Sequence, residues 1–197
     1  MGAILAGGKS RRMGTHKALL KIDGIPMIQR IASTLQEVFE DVRIVADDAE
    51  LYAFLGLPTI SDRRKDAGPL GGIHAALHAA PAPRVFVIGC DMPFVTSQLI
   101  RFVLDSDEQC RLTAVSDGTY VQPLCGLYEK SLLPDVEERL LSGDFRLLNF
   151  VLAQHPAILL VSPSLPWYRN NLLSNINDPP TYQSLFAQKQ DSTESFS

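Results

Sequence analysis

Three stretches carry side chains whose types and spacing suit phosphate chemistry. Leu5 to Lys17 reads LAGGKSRRMGTHK. Gly7 and Gly8 let the backbone turn sharply, so that successive N–H groups can face an anion as a nest, and Arg12 and Lys17 are cations suited to neutralising phosphate. Neither common phosphate loop fits. A Walker A ending at Gly8-Lys9-Ser10 needs glycine where Ala3 stands, and no G-x-G-x-x-G occurs there. The plainer reading, a glycine turn with solvated cations, is weakened by the basic clustering directly after an apolar segment.

Asp91 in IGCDMPF follows the fully apolar run Val85 to Ile88. A hard carboxylate at the carboxyl end of a buried strand can hold Mg²⁺ against phosphate oxygens. Its alternative duty, capping the next helix, is better filled by Thr96 or Ser97. Cys90 beside it reads as a small packing residue rather than a nucleophile. The third stretch is Ser61 to Ile73, SDRRKDAGPLGGI. Asp62 ends a short strand, and Gly68, Gly71 and Gly72 flank Pro69, allowing a flat ring to approach backbone at a helix start. Arg63, Arg64 and Lys65 form a charge run of the kind that is usually solvated.

These residues need elements to position them, and apolar runs alternate with stretches of helical period to supply them. Strands are expected at Gly2 to Ala6, Val42 to Ala46, Pro58 to Ser61 and Val85 to Ile88. Helices are expected behind Pro26 (Ile28, Ile31, Ala32, Leu35 and Phe39 inward), around Asp48 to Leu55, from Pro69 through Ala80, and after Thr96. This β-α-β-α order predicts a three-layer α/β fold with a mostly parallel central sheet, whose ligands bind beyond the carboxyl ends of the strands. In the second half, Leu112 to Ser116 and Val121 to Leu127 are expected to pair. Helices follow near Leu132 to Leu141 and Phe145 to Gln154, then a strand at Ala157 to Val161. Residues 1–187 read as one domain and 188–197 (QKQDSTESFS) as a polar tail expected to fray.

The 197-residue chain carries a net charge of −4 with 46% hydrophobic residues, which excludes disorder and a general nucleic-acid-binding surface. Residues 1–24 nonetheless carry +4 and the remainder −8. That local patch points to a small anionic ligand rather than a polymer. No run approaches the length of a membrane span. The opening residues do not read as a secretory signal, and Cys90, Cys110 and Cys125 lack CxxC spacing, so a reducing cytoplasm is the expected setting. His74 and His78 lie four apart on one helix but lack a third ligand, and read as packing or surface residues. The pair Trp167 and Tyr168, followed by Arg169, reads first as packing, with a pterin platform as the alternative.

Taken in order, L-A-G-G-x-S-x-R-M-G-x-x-K at Leu5 to Lys17, G-P-L-x-G at Gly68 to Gly72, C-D-M-P at Cys90 to Pro93 and N-x-N at Asn175 to Asn177 resemble the molybdenum cofactor guanylyltransferase family, within the Rossmann-like nucleotidyltransferases. The resemblance implies transfer of GMP from GTP to the terminal phosphate of molybdenum-molybdopterin with Mg²⁺ as cofactor. It implies a nucleotide site at Leu5, Ala6, Gly7, Gly8, Lys17, Asp47, Asp62, Gly68, Pro69, Leu70 and Asp91, and catalysis by Arg12, Lys17 and Asp91. Asp91 would be the metal ligand, and Asn175 and Asn177 would meet the second substrate. It is also compatible with transient contact with cofactor-synthesis proteins or molybdoenzymes. Three departures mark this chain: the strand starts at residue 2, Asp47 stands for the family's asparagine, and Asn177 is followed by Asp178-Pro179-Pro180-Thr181 rather than T-P-x-D. Another nucleotidyltransferase, of cytidylyl or sugar-nucleotide type, and a non-catalytic molybdopterin carrier are the competing readings.

Overall fold

The computed structural model describes residues 1–7, 16–61, 64, 66–106 and 109–177. Nine strands and five α-helices are present among them. The strands are β1 (Gly2–Leu5), β2 (Lys21–Ile22), β3 (Ile25–Pro26), β4 (Val42–Val45), β5 (Thr59–Ile60), β6 (Arg84–Gly89), β7 (Leu112–Ser116), β8 (Val121–Glu129) and β9 (Ala157–Leu160). The helices are α1 (Met27–Gln36), α2 (Gly68–Ala79), α3 (Ser97–Leu104), α4 (Leu133–Ser142) and α5 (Leu147–Ala153). Seven strands form one sheet in the order β5-β4-β1-β6-β8-β7-β9. β1 pairs in parallel with both β4 and β6, and β8 is the antiparallel member.

β1 and the Val85–Gly89 part of β6 are apolar at every position because both faces of the sheet are covered there. Side chains of a strand alternate between faces, and the core divides accordingly. Ile4, Ile44, Phe86 and Ile88 meet Ile28, Ile31 and Leu35 of α1 and Leu99, Ile100 and Val103 of α3 on one face. Ala3, Leu5, Val45, Val85 and Val87 meet Leu70, Ile73 and Leu77 of α2 on the other, with α4 and α5 completing that layer through Val136, Leu140, Phe150 and Val151. Three layers follow from this alternation, as the strand and helix pattern predicts.

α2 sits deepest. Every residue from Leu70 to Leu77 is buried, as expected of a helix apolar nearly all round. Its approach to the sheet depends on Gly72, where a Cβ would stand 3.3 Å from the methyl carbons of Leu5. Phe39, expected on the face of α1, lies past that helix's end but still reaches the core by stacking on Phe86 with ring centroids 5.9 Å apart. The hairpin of β2 and β3 is an element that periodicity does not reveal, because two-residue strands hold no repeat. Its signal is Asp23-Gly24, both at positive φ (52° and 81°), the backbone a two-residue turn of this hand requires. The stretch around Asp48 to Leu55 is a 3-10 helix, Glu50–Leu55, rather than an α-helix.

Candidate active site

Strand order creates the crevice. From β1 the chain moves outward to β4 and β5, then crosses back to β6 on the other side of β1, so the direction of winding reverses between β1 and β6. At such a point the connections leave in opposite directions and open a cleft outside the carboxyl ends. Register brings those ends level: Leu5 aligns with Val45 on one side and with Gly89 on the other. Ala6-Gly7, Ala46-Asp47 and Cys90-Asp91 therefore leave the sheet along one rim, where the first turn of α2, with Gly68, Pro69 and Leu70, follows the carboxyl end of β5.

The backbone leaving β1 is held from both sides. Cys90 N–H donates to Leu5 O at 3.1 Å, Ala6 N–H donates to Val45 O at 3.0 Å, and the hydroxyl of buried Tyr52 donates to Ala6 O at 3.2 Å. Gly7 follows with open space where a Cβ would project. The Leu5 and Leu70 side chains belong to the core, leaving backbone as what these two positions present to the rim. Asp47 is exposed, one residue beyond buried Ala46.

Three residues far apart in sequence meet at the rim beyond β6. Lys17 Nζ donates to Asp91 Oδ2 at 3.0 Å and also to Asn177 Oδ1. The two charged side chains are only 13% and 20% exposed, so their attraction is less screened than at a free surface. Lys17 is positioned by a 3-10 turn, Lys17–Leu19, anchored through buried Ala18. Asp91 is positioned by glycine: a Cβ on Gly89 would lie 2.5 Å from Asp91 Oδ1. Asn177 is brought in by the preceding residues, since Ile176 is fully buried and donates its N–H to Asp91 O at 2.9 Å, and Asn175 Nδ2 donates to Gln122 Oε1 at 3.0 Å.

Of the residues selected from sequence, Leu5, Ala6, Gly7, Lys17, Asp91 and Asn177 converge here, with Asn175 turned to Gln122 on β8. Gly8, Arg12 and Asp62 lie outside the described residues, as do Arg63 and Lys65. Arg64 donates to Leu140 O at 3.3 Å, bracing α4. Burial pushes the Cys90 thiol up to about 12, with Asp91 adding to the shift, so it stays protonated as a packing residue. His74 lies buried against α4 with Nε2 3.3 Å from Glu137 Oε1, and no cluster of three or more metal-binding side chains forms among the described residues. Trp167 packs on Phe102 with ring centroids 5.4 Å apart, which assigns the indole to packing. Tyr52, Gly89 and Gln122 escaped sequence reasoning. Only Gly89 carried a signal, a glycine directly before Cys-Asp at a strand end.

A cation held between a carboxylate and an amide oxygen, on the rim where the chain leaves β1 through Gly7, is suited to binding a metal-complexed polyphosphate. Residues 2–158 match the family described as the MobA-like NTP transferase domain. A probable molybdenum cofactor guanylyltransferase of Carboxydothermus hydrogenoformans is 35% identical over 185 residues, 93% of each chain. One from Pelotomaculum thermopropionicum is 40% identical over 149 residues, covering 76% of this chain and 73% of its own. In three dimensions, the crystal structure of molybdopterin-guanine dinucleotide biosynthesis protein A from Archaeoglobus fulgidus superposes with a TM-score of 0.76 at 25% identity, over 95% of this chain and 98% of that one. The match spans β1 through the first residues of β9 and so includes both strands of the β1–β6 crevice with Lys17 and Asp91, Asn177 lying beyond it: the chain belongs to the MobA-like NTP transferase family.

Proposed function

We propose that this protein transfers GMP from GTP to the terminal phosphate of molybdenum-molybdopterin, yielding molybdenum cofactor guanine dinucleotide and pyrophosphate. The observation that carries the reading is the Lys17 ammonium gripped by Asp91 and Asn177 at the crevice between β1 and β6, together with relatives named for this reaction. The attacking group is already an anion, so no general base is required. An acceptor phosphate oxygen bonds to the α-phosphorus, the bond from that phosphorus to the α–β bridging oxygen breaks, and pyrophosphate leaves with the electron pair. What the protein must supply is in-line placement and charge neutralisation.

The donor set fits Mg²⁺. Asp91 offers a carboxylate and Asn177 an amide oxygen, both hard ligands, and the space between them already accommodates a cation in the form of the Lys17 ammonium. Asp91 would hold the ion, with Asn177 as a neighbouring oxygen donor; when bound, Mg²⁺ neutralises phosphate charge. Lys17 would contact the triphosphate, and Arg12, outside the described residues, would add a second positive charge from the same stretch of sequence. Leu5, Ala6 and Gly7 at the end of β1 would meet the nucleotide through backbone, with Gly7 the position whose surroundings are open. Gly68 to Leu70 would meet the guanine edge and Asp47 the nucleoside, and Gly8 and Asp62, outside the described residues, are assigned from the sequence alone. Asn177 would also meet the acceptor, with Asn175, bonded to Gln122, holding that segment in place.

Among the described residues no helix is long and apolar enough to cross a membrane, and the three cysteines are free thiols. Work in a reducing cytoplasm, with transient contact to cofactor-synthesis proteins or acceptor molybdoenzymes, is consistent with both. The test is pyrophosphate release from each of the four nucleoside triphosphates with Mg²⁺ and molybdenum-molybdopterin. GTP alone should support turnover. Equal use of CTP points instead to a cytidylyl enzyme, and binding without pyrophosphate points to a carrier.

A further inference from the structure

The rim continues past β6 to a second feature. β8 is antiparallel to both β6 and β7, and β9 is parallel to β7, so β7 and β9 end on the same side of the sheet as β1 and β6. There, directly after β7 and β9, lies an open cavity of about 180 Å³ whose lining includes Asp117, Val161, Tyr168, Arg169, Asn170 and Ser174. None of these residues takes part in the nucleotide crevice.

The cavity wall is ordered by its own backbone. Leu165, Tyr168, Leu172 and Ser174 N–H donate to the carbonyls of Ser162, Leu165, Arg169 and Asn171, each at 3.0 Å, and Leu172 is buried as an anchor. Asp117 is fixed as well: its Oδ1 accepts from Thr119 and Tyr120 N–H, both at 2.8 Å. Those bonds, Tyr120 first, hold its carboxyl below the usual carboxylate range, and Oδ2 takes no hydrogen bond among the described residues. Arg169 lines the same cavity without forming an ion pair to Asp117. Asp117 and Arg169, both exposed, thus line one open cavity with no ion pair between them, and a phenol ring belongs to the same lining. With Trp167 committed to Phe102, Tyr168 is the member of the aromatic pair that reaches the cavity.

Position adds the second argument. Ser174 lines the cavity, while Asn177, three residues on, receives Lys17, and Ile176 holds the Asp91 backbone. Three residues span at most about 11 Å. A ligand with a ring in the cavity and a phosphate on a short arm therefore reaches the cation site.

We infer that this cavity binds the pterin of the acceptor by its 2-amino-4-oxo-pyrimidine edge, with Asp117 Oδ2 accepting from the amino and ring N–H groups, Arg169 donating to the ring carbonyl, and Tyr168 supplying apolar surface. The inference rests on the guanylyltransferase reading and adds the residues that recognise its second substrate. Guanine presents the same edge, so the experiment separates the two. Fluorescent 6-hydroxymethylpterin is titrated into the full chain in Mg²⁺ and saturating α,β-methylene GTP, with GMP titrated in parallel. Asp117→Asn retains Oδ1 for the turn, and Arg169→Ala removes the guanidinium. The pterin should bind alongside the GTP analogue, each variant should weaken it about tenfold or more, and affinity for the analogue should stay within twofold. Pterin affinity unchanged in both variants, displacement of pterin by the analogue, no pterin binding at millimolar concentration, or GMP entering the cavity equally well overturns the inference while leaving the GTP site intact. Failure of the analogue itself to bind, with no pyrophosphate released from GTP and molybdopterin, instead overturns the guanylyltransferase reading and this inference with it.

Discussion

Asp91 and Lys17 form a pair that is mostly shielded from solvent, which ties chemistry to stability at a single residue. Asp91→Asn keeps an acceptor for the ammonium but removes its counter-charge. Pyrophosphate release should fall by about 10² to 10³, the usual cost of losing one preorganised charge contact. The fold should survive with a melting temperature lowered by a few degrees. Steady-state kinetics and thermal denaturation check the two halves separately, and near wild-type turnover removes Asp91 from the mechanism. The cysteines divide by how far desolvation suppresses the thiolate, Cys125 being fully buried and Cys90 and Cys110 both partly exposed. Cys90 and Cys125 are both pushed up to about 12 by desolvation, so at pH 8 only about one in ten thousand of each is thiolate. A disulfide reagent should find Cys110 promptly in the native protein and all three thiols only after denaturation; fast native labelling of three contradicts this suppression of the thiolate.

At the scale of elements, two glycines of neighbouring strands make opposite predictions. A Cβ at Gly89 meets the side-chain oxygen of Asp91 at 2.5 Å, whereas one at Gly126 meets the backbone carbonyl of Thr113 at 2.3 Å. A side chain can rotate away; a strand backbone cannot without breaking its ladder. Gly89→Ala should therefore reduce turnover at least about tenfold, by turning Asp91, and lower the melting temperature by no more than Asp91→Asn does. Gly126→Ala should separate β7 from β8 near the irregularity between Ala114 and Val115 and lower the melting temperature by about 3 to 10 °C. Comparing the two variants by calorimetry and kinetics tests both. The strands themselves were legible because runs such as Val85 to Ile88 are apolar on both faces, and α1 was legible because its buried positions repeat with helical period. The β2–β3 hairpin was not, since its information lies in two turn residues rather than in a pattern.

For the whole molecule, burial of protonated thiols and phenols links stability to alkaline pH. Cys90, Cys125 and Tyr52 are raised to about 12, and Tyr128 higher still, with desolvation the leading cause in each. The folded state keeps these protons while the unfolded chain releases them from about pH 9 upward. Stability should hold to about pH 8 and fall as pH passes 9 and 10. Urea midpoints at pH 8, 9.5 and 10.5 should decrease in order, and less steeply in Cys90→Ala/Cys125→Ala; a flat profile argues against the buried protonated state. The two clusters on opposite faces of the sheet contain all of these groups, so the response belongs to the assembled three layers.

Strand positions, the order of elements and the glycine, lysine and aspartate motifs follow from the chain itself, because burial on two faces and turn geometry are local demands on residue type. Which of those motifs touch was decided only by tertiary structure. Lys17 lies 74 positions from Asp91 and 160 from Asn177, and no local pattern encodes such a meeting. It arises because parallel register brings the ends of β1 and β6 level, and because a buried isoleucine carries the last segment back over the rim.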